Sequence, residues 1–214
     1  MSTGRTAGTG ASRTAGTDAS RTAELTRDTL ETSVQVKVRL DGRGDAEVVT
    51  GQGFIDHLLR ALALYSAFDL DVKASGDLVT GCHHLFEDTG LALGAAVARG
   101  LDGSQPIRRF GWAIVPMDEV LVQVAVDISG RPLAVLDLGT GEVAGVGVED
   151  ACEFLRGLAA AMGATLHIDL IKKGNVHHAL EAVFKGLGMA LRQATSFDPA
   201  REGTPSTKGR VRLE

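Results

Sequence analysis

The chain has 214 residues, of which 44% are hydrophobic and 23% charged, and its formal net charge is −5. This length is enough to bury the core of one ordinary domain or of two closely packed half-domains. The acidic balance argues against a nucleic acid or an anionic membrane as the main partner. No apolar run approaches the roughly 20 residues that span a bilayer, and Cys82 and Cys152 form no C-x-x-C pair. We therefore expect a cytoplasmic protein in a reducing compartment.

The N-terminal segment differs in composition from the rest of the chain. An Arg-Thr-Ala triplet begins at positions 5, 13 and 21, among Gly, Ser and Thr residues that could contribute little to a core. This composition predicts a disordered tail over residues 1–25. The folded part is expected to begin near Thr26.

The first half of the folded part alternates between strand and helix patterns. The predicted elements are strands at 33–40 and 46–50, a helix at 56–64, a strand at 68–73 and a helix from about 81 to 99. The Asp41-Gly42 turn signal predicts that the first two strands form a hairpin. The resulting order is ββαβα.

The second half repeats this order. Its predicted elements are strands at 112–115, 120–126 and 132–136, a helix at 151–158, a strand at 165–170 and a helix at 176–194. The stretch from His57 aligns with the stretch from Glu153 without a gap and matches Arg60 with Arg156. We therefore predict an α+β fold with duplicated ββαβα half-domains, at residues 26–103 and 104–200, whose helices pack between two β-sheets.

A polar motif, His-His-x-x-Glu, occurs once in each half. Its two copies are His83, His84 and Glu87, and His177, His178 and Glu181. On a helix the second histidine points about 100° from the first and the glutamate about 40° from it, so all three share a face. The adjacent histidines diverge too far to bind one small ion easily, so the two helices predict a two-metal site or a pair of separate sites. Such ligands suit Mn, Fe, Zn or Co.

Three other residues extend or test this interpretation. His57 and Glu153 occupy matching positions in the repeat, and each is a candidate ligand. His57 also follows Asp56, which is a plausible helix cap. His167 is the remaining histidine, and an ordinary hydrogen-bonded role explains it as well as a ligand role does.

Basic and hydroxyl side chains near the ends of predicted elements suit a phosphate group. Singly, each is explained as a turn residue or a solvated charge. Together, forked guanidinium groups, point charges and a hydroxyl would bind phosphate well. The candidates are Arg109, Arg131, Lys185, Ser206 and Lys208, the last two in a C-terminal tail at residues 201–214.

These motifs, taken in order, resemble the imidazoleglycerol-phosphate dehydratase family. The resemblance runs from Arg27 to Gly209 and rests on TGQGFIDHLL, SGDLVTGCHHLFEDTGLALG, RFGWAIVPMDE, VDISGRP, TLHIDLIKKGNVHHALEAVFK and STKG. It implies a metal-dependent lyase of histidine biosynthesis that dehydrates D-erythro-imidazole glycerol phosphate to imidazole acetol phosphate through a metal-bound imidazolate. It also implies a 24-subunit homo-oligomer with two Mn(II) ions per chain, bound between subunits.

The resemblance also assigns roles to individual residues. The implied metal ligands are His57, His83, His84, Glu87, Glu153, His177, His178 and Glu181. The implied catalytic carboxylates are Glu31 and Asp118, with Glu181 as a third. The implied phosphate-binding residues are the five named above.

Four positions depart from the family pattern. Ala61 and Tyr65 replace a glutamine and a histidine, Gly81 replaces an acidic residue, and Glu153 replaces a histidine. Glu153 can still bind a metal through oxygen, whereas Ala61 and Tyr65 remove polar groups expected near the substrate. Two alternatives therefore stay open: a paralogue that uses the same scaffold on a related phosphorylated heterocycle or polyol, and a catalytically inactive metal-binding shell protein.

Overall fold

Two four-stranded β-sheets enclose four helices in the computed structural model, which describes residues 21–102 and 106–200. The first half contains β1 (Thr22–Asp28), β2 (Thr32–Arg39), β3 (Ala46–Val49), α1 (Gly53–Ser66), β4 (Asp69–Gly76) and α2 (His83–Leu101). The second half contains β5 (Phe110–Met117), β6 (Val120–Asp127), β7 (Leu133–Asp137), β8 (Glu142–Val143), β9 (Val146–Gly147), α3 (Val148–Met162), β10 (Thr165–Lys172) and α4 (Val176–Thr195). Among the described helices, none is long and apolar enough to cross a membrane.

The two sheets have the same topology. Their strand orders are β1-β2-β4-β3 and β5-β6-β10-β7. In each sheet the last pair is parallel, with α1 connecting β3 to β4 and α3 lying between β7 and β10 in the chain, and the other pairs are antiparallel. The predicted α+β architecture and internal duplication are confirmed. Each four-stranded sheet has one strand more than the ββαβα order, and the second half adds the two-stranded β8-β9 sheet.

The hairpin predicted between residues 33–40 and 46–50 is wrong. β2 pairs with β1 and β4, whereas β3 pairs in parallel with β4. The side chain of Asp69, at the start of β4, accepts backbone N–H groups from Arg43, Gly44 and Asp45 at 2.7, 3.1 and 3.1 Å. These bonds fix the connecting loop beside β4, so that the chain enters β3 on the far side of β4 from β2.

The predicted tail extends too far into the chain, because strand β1 begins at Thr22. Ala23 and Leu25 are only half-buried, and their apolar signal is weak next to the Arg-Thr-Ala repeats. Residues 1–20 and the C-terminal tail at 201–214, with Ser206 and Lys208, lie outside the described residues. The half-domain boundaries stay a prediction.

The core lies between the sheets and is centred on three phenylalanines. Phe86 of α2, Phe154 of α3 and Phe184 of α4 are fully buried, with ring centroids 4.9, 5.9 and 5.1 Å apart. Burial of each ring stabilises the fold by roughly 1.5–3 kcal/mol. The sheets face this core with alternate residues, such as Val34, Val36 and Val38 of β2.

Helices from opposite halves approach each other closely at glycines. α2 packs along α3, and α1 packs along α4. A Cβ atom at Gly90 would lie 2.2 Å from the carbonyl oxygen of Phe154, and one at Gly188 would lie 2.7 Å from the carbonyl oxygen of Leu62. Neither distance can accommodate a methyl group, so both contacts require glycine.

We expect Gly90→Ala to lower the free energy of unfolding by about 1–3 kcal/mol, because the new methyl group forces α2 and α3 apart. Urea denaturation followed by circular dichroism at a fixed chain concentration measures the change. Gly53→Ala is the matched control, since a Cβ there meets no atom within 4 Å. Equal stability of the two variants would contradict the close packing of α2 on α3.

Candidate metal centre

The two His-His-x-x-Glu motifs lie in the first two turns of α2 and α4. Helix α2 begins at His83, and α4 begins one residue before His177. The side chain of Asn175 caps α4 by accepting the backbone N–H of His177 at 2.8 Å. Both motifs therefore project from the N-terminal ends of their helices.

One group of potential ligands in the described part of the chain, the α4 cluster, consists of His57, His177 and Glu181, whose ligand atoms lie within 4.8 Å of one another. Glu181 Oε2 lies 3.1 Å from His57 Nε2 and 3.2 Å from His177 Nε2. His57 reaches the group from α1 because α1 packs along α4. The ring of Phe54 lies 4.9 Å from that of His177 and covers one side of it.

Glu181 carries a negative charge at neutral pH. Burial raises the pKa of its carboxyl group, but the hydrogen bond from Lys185 Nζ at 2.8 Å and the nearby His57 outweigh burial and lower the pKa to about 2. The same hydrogen bond raises the pKa of Lys185. The carboxylate is therefore available as an anionic ligand.

The α4 cluster fits a transition metal. His57 Nε2 is buried, and among the described residues no hydrogen bond of acceptable geometry satisfies it, although Glu181 Oε2 is close by. Buried polar atoms are nearly always satisfied by a partner. Two imidazole nitrogens and a carboxylate oxygen are a donor set suited to Mn, Fe, Zn or Co.

The second histidine of the α4 motif faces the turn between β5 and β6. His178 Nδ1 lies 3.1 Å from Glu119 Oε2, and His178 Nε2 lies 3.6 Å from Asp118 Oδ2. These three residues form a second group of potential ligands within 4.8 Å. The backbone N–H of Asn175, which donates to Glu119 at 2.6 Å, and then the backbone of Glu119 itself and His178 lower the pKa of Glu119 to about 2.

The second histidine of the α2 motif has the matching surroundings. His84 Nδ1 lies 3.3 Å from Asp77 Oδ1 and 3.6 Å from Glu31 Oε2, which belongs to the turn between β1 and β2. The hydrogen bond with Asp77 raises the pKa of His84. In both halves, therefore, the second histidine faces a carboxylate on the first hairpin turn of its own sheet.

The remaining ligand candidates are more widely spaced. His83 Nε2 lies 3.9 Å from Glu87 Oε2, and His83 Nδ1 lies 3.9 Å from Asp150 Oδ1. Glu153 instead accepts a hydrogen bond from Arg156 and joins neither compact group of potential ligands in the described part of the chain. His167 is exposed on β10 and also lies outside those groups.

Of the phosphate-binding candidates that the structure describes, Arg109 and Arg131 lie together and Lys185 lies apart from them. Arg109 forms a two-pronged ion pair with Asp127, with N···O distances of 2.6 and 3.0 Å, and Arg131 lies 3.8 Å from the same carboxylate. The backbone N–H of Arg109 donates to the carbonyl of Ala194, near the C-terminal end of α4. Lys185, which is bound to Glu181, precedes Ala194 by nine residues on that helix, about 14 Å along its axis.

The departures from the family pattern have different surroundings. Ala61 is buried on α1. Tyr65, one turn further along α1, has its ring centroid 5.8 Å from Lys185 Nζ. Gly81 has φ +117° and open space around its Cβ position. Only glycine adopts such a φ readily, so an acidic residue at 81 would require a different local backbone.

Sequence reasoning missed four side chains at these histidines. Glu119 adjoins Asp118 and Asp77 begins the loop before the first motif, so both were visible as acidic residues near predicted element ends. Phe54 and Asp150 occupy matching positions of the repeat, three residues before His57 and Glu153. The helical period placed them on the ligand face, but it did not show which helix they would contact.

Comparisons with known proteins point to one family. The family profile described as Imidazoleglycerol-phosphate dehydratase matches residues 50–191. Proteins of that name from Thermoanaerobacter pseudethanolicus and Desulfitobacterium hafniense are 46% and 48% identical to the chain over 189 residues, which cover 87% of this chain and 97% and 96% of theirs. The crystal structure of IGPD from Pyrococcus furiosus in complex with (S)-C348 is similar, with a TM-score of 0.74 and 40% identity over 86% of this chain and 99% of that one.

We expect Glu181→Gln to flatten the acid dependence of stability in the metal-free protein. The pKa of Glu181 falls from 4.5 to about 2 on folding, so its contribution is fully present above pH 4.5 and is lost as the pH falls towards 2. Urea unfolding at several pH values should therefore show that the free energy of unfolding falls more steeply with decreasing pH for the natural chain than for the variant. Glu149→Gln, at an exposed position of α3, should follow the natural chain. Identical slopes for all three proteins would refute the lowered pKa.

Proposed function

The chain belongs to the imidazoleglycerol-phosphate dehydratase family, and we propose that its two His-His-x-x-Glu motifs hold the metal ions on which its reaction depends. The chain is a hydro-lyase of histidine biosynthesis that converts D-erythro-imidazole glycerol phosphate to imidazole acetol phosphate. The observation that carries this function is an identity of 45–48% to dehydratases over 87% of the chain. It favours the dehydratase over the paralogue and the inactive shell protein left open by the sequence.

The reaction makes three demands on the protein. A proton must leave a carbon that is not acidic, hydroxide must depart, and the phosphorylated substrate must stay in place. A divalent ion bound at this site supplies Lewis acidity, which lowers the pKa of the group that it binds. The side chains of the protein must hold the ions, bind the phosphate and move the protons.

We propose two Mn(II) ions per chain, with Fe, Zn or Co as alternatives. The proposed ligands are His57, His83, His84, Glu87, Glu153, His177, His178 and Glu181. The buried nitrogen of His57 and the charged carboxylate of Glu181 support the α4 cluster most directly. Glu153 reaches this role by exchanging its ion pair with Arg156 for the metal.

Glu31 and Asp118 are the proposed acid and base residues. Each lies on a hairpin turn, 3.6 Å from the second histidine of its own half. A carboxylate at this distance from a metal-binding histidine is well placed to take a proton from the substrate or return one. Glu181 suits a ligand role better than a proton-transfer role, because its lowered pKa makes it a poor acid near neutral pH.

We propose that the phosphate site is completed by a second copy of the chain. Arg109 and Arg131 lie at the far end of α4 from the α4 cluster, so one chain cannot bring these arginines and the α4 cluster into the same site. Leu30 and Val79 are fully exposed on the loops that carry Glu31 and Asp77. Exposed apolar side chains beside polar ligands are typical of an interface. This arrangement supports metal sites between subunits of a homo-oligomer, which we expect to be a 24-mer.

The outer face of the second sheet supports the same conclusion. Its exposed apolar residues are Phe110, Trp112, Ile114, Leu133 and Val135. The outer face of the first sheet instead carries charged residues, including Lys37, Arg39, Asp69, Asp71 and Lys73. Since the two sheets share one topology, the difference marks a function of the second face. We propose that this face is buried between copies of the chain.

We expect the protein reconstituted with Mn(II) and desalted to carry close to two ions per chain by elemental analysis. Glu181→Gln should lose about one ion per chain and lower turnover of imidazole glycerol phosphate by about 100-fold, because it removes the anionic ligand of the α4 cluster. Glu149→Gln should keep both the metal and the activity. Full metal and full activity in Glu181→Gln would remove Glu181 from the ligand set. A metal-loaded natural chain that turns over no substrate would contradict the function itself.

Trp112→Lys should reduce the particle size measured by analytical ultracentrifugation, because it places a charge in the proposed interface. Trp112 is 65% exposed in the single chain, so the change leaves the fold of that chain intact. Gln35→Lys, on the outer face of the first sheet, is the control and should leave the particle unchanged. A Trp112→Lys protein of natural size would place the interface elsewhere.

A further inference from the structure

Asp88 is a buried acidic residue next to the proposed ligand Glu87. It is 7% exposed, and its carboxylate accepts hydrogen bonds from Arg27 Nε of β1 at 2.7 Å and from Thr32 Oγ1 of β2. Burial of a charged group is costly unless partners compensate it. Asp88 is neither a proposed metal ligand nor a phosphate-binding residue, so its role lies elsewhere.

The partner of Asp88, Thr32, closes the turn that carries Glu31. The backbone N–H of Thr32 donates to Thr29 Oγ1 at 2.9 Å, and the backbone N–H of Thr29 donates to the carbonyl of Thr32 at 2.8 Å. The backbone N–H of Glu31 also donates to Thr29 Oγ1, at 3.2 Å. The backbone at Glu31 therefore belongs to a turn of fixed shape, and the Thr32–Asp88 bond attaches that turn to α2.

The attachment point lies one helical turn from the histidine that Glu31 faces. His84 and Asp88 are four residues apart on α2, so their side chains project from the same face of the helix. Glu31 Oε2 lies 3.6 Å from His84 Nδ1. Helix α2 thus carries both His84 and Asp88, and Asp88 fixes the distance of Glu31 from His84.

The second half lacks this attachment. The residue that follows Glu181 is Ala182, which offers no carboxylate. Its hairpin turn is held instead by Glu119, which accepts the backbone N–H of Asn175 at 2.6 Å. The contact made by Asp88 is therefore not a requirement of the repeated fold, which favours a role particular to the turn of Glu31.

We propose that Asp88, acting through Thr32, is a positioning residue that holds the Glu31 carboxylate at the His84 side of the site for proton transfer. The proposal rests on the acid–base function proposed for Glu31. Arg27 neutralises the buried charge, and Thr32 transmits the position of α2 to the turn.

The test is a double-mutant cycle on the Mn(II)-loaded enzyme, with Thr32→Val and Thr32→Ser made in the natural chain and in Glu31→Gln. In the natural chain, we expect Thr32→Val to lower kcat by about 10- to 100-fold, while KM and bound metal change less than about twofold. Thr32→Ser keeps the hydroxyl and should keep the activity. In Glu31→Gln, Thr32→Val should cause no further loss, because the carboxylate whose position matters is already gone. Asp88→Ala should repeat the Thr32→Val pattern, and Thr32→Val decides the question if Asp88→Ala does not fold.

Two outcomes would overturn the proposal while leaving the function of Glu31 in place. One is an unchanged kcat for Thr32→Val. The other is the same fold loss in both backgrounds, which would mean that Thr32 supports the fold or the metal site and not Glu31. A Glu31→Gln variant whose kcat equals that of the natural enzyme is a separate result. It would contradict the acid–base function of Glu31 and with it the positioning role of Asp88.

Discussion

The close contact between helices of opposite halves determines where the site residues lie. Packing of α1 along α4 brings His57 to 3.1 Å from Glu181, and packing of α2 along α3 brings Asp150 to 3.9 Å from His83. Both contacts depend on glycines at which a methyl group would overlap the backbone of the facing helix. An added separation of even 1 Å would move each histidine relative to the carboxylate of the other helix. The packing of the core and the geometry of the candidate metal centre therefore depend on the same helix contacts.

In both halves, the two histidines at the N-terminal end of the helix face different partners. The first histidine of each motif faces its own glutamate and the neighbouring helix, and the second faces the hairpin turn of the same sheet. A pair of adjacent histidines can therefore serve two different ions without leaving one helix turn. This divergence follows from the 100° step of the helix. Repetition of the arrangement in both halves is a consequence of the shared strand order.

The features that follow local periodicity could be predicted, and those that follow strand order could not. The repeat, the four helices and the shared face of each His-His-x-x-Glu motif depend on spacings of a few residues. The parallel pairing of β3 with β4 depends on the bonds of Asp69 to the loop before β3, which no alternation pattern reveals. Strand β5 begins directly after Arg109, beside the C-terminal end of α4. The distance of Arg109 from the α4 cluster likewise depends on this placement. Competition between possible partners of one side chain also limits prediction from the sequence, because Glu153 forms an ion pair with Arg156 that its position in the repeat does not reveal.

The two proposed metal positions are alike in topology and different in chemistry. In the second half, His177 has the phenyl ring of Phe54 beside it at 4.9 Å, and its neighbouring helix supplies an imidazole. At the matching positions the first half has Asp150, 3.9 Å from His83, and Glu153. The first-half position is therefore richer in carboxylate oxygen, and the second is richer in nitrogen. Since oxygen ligands favour harder ions and imidazole suits softer ones, we expect the two proposed positions to bind an ion with different strength while they keep the same backbone frame.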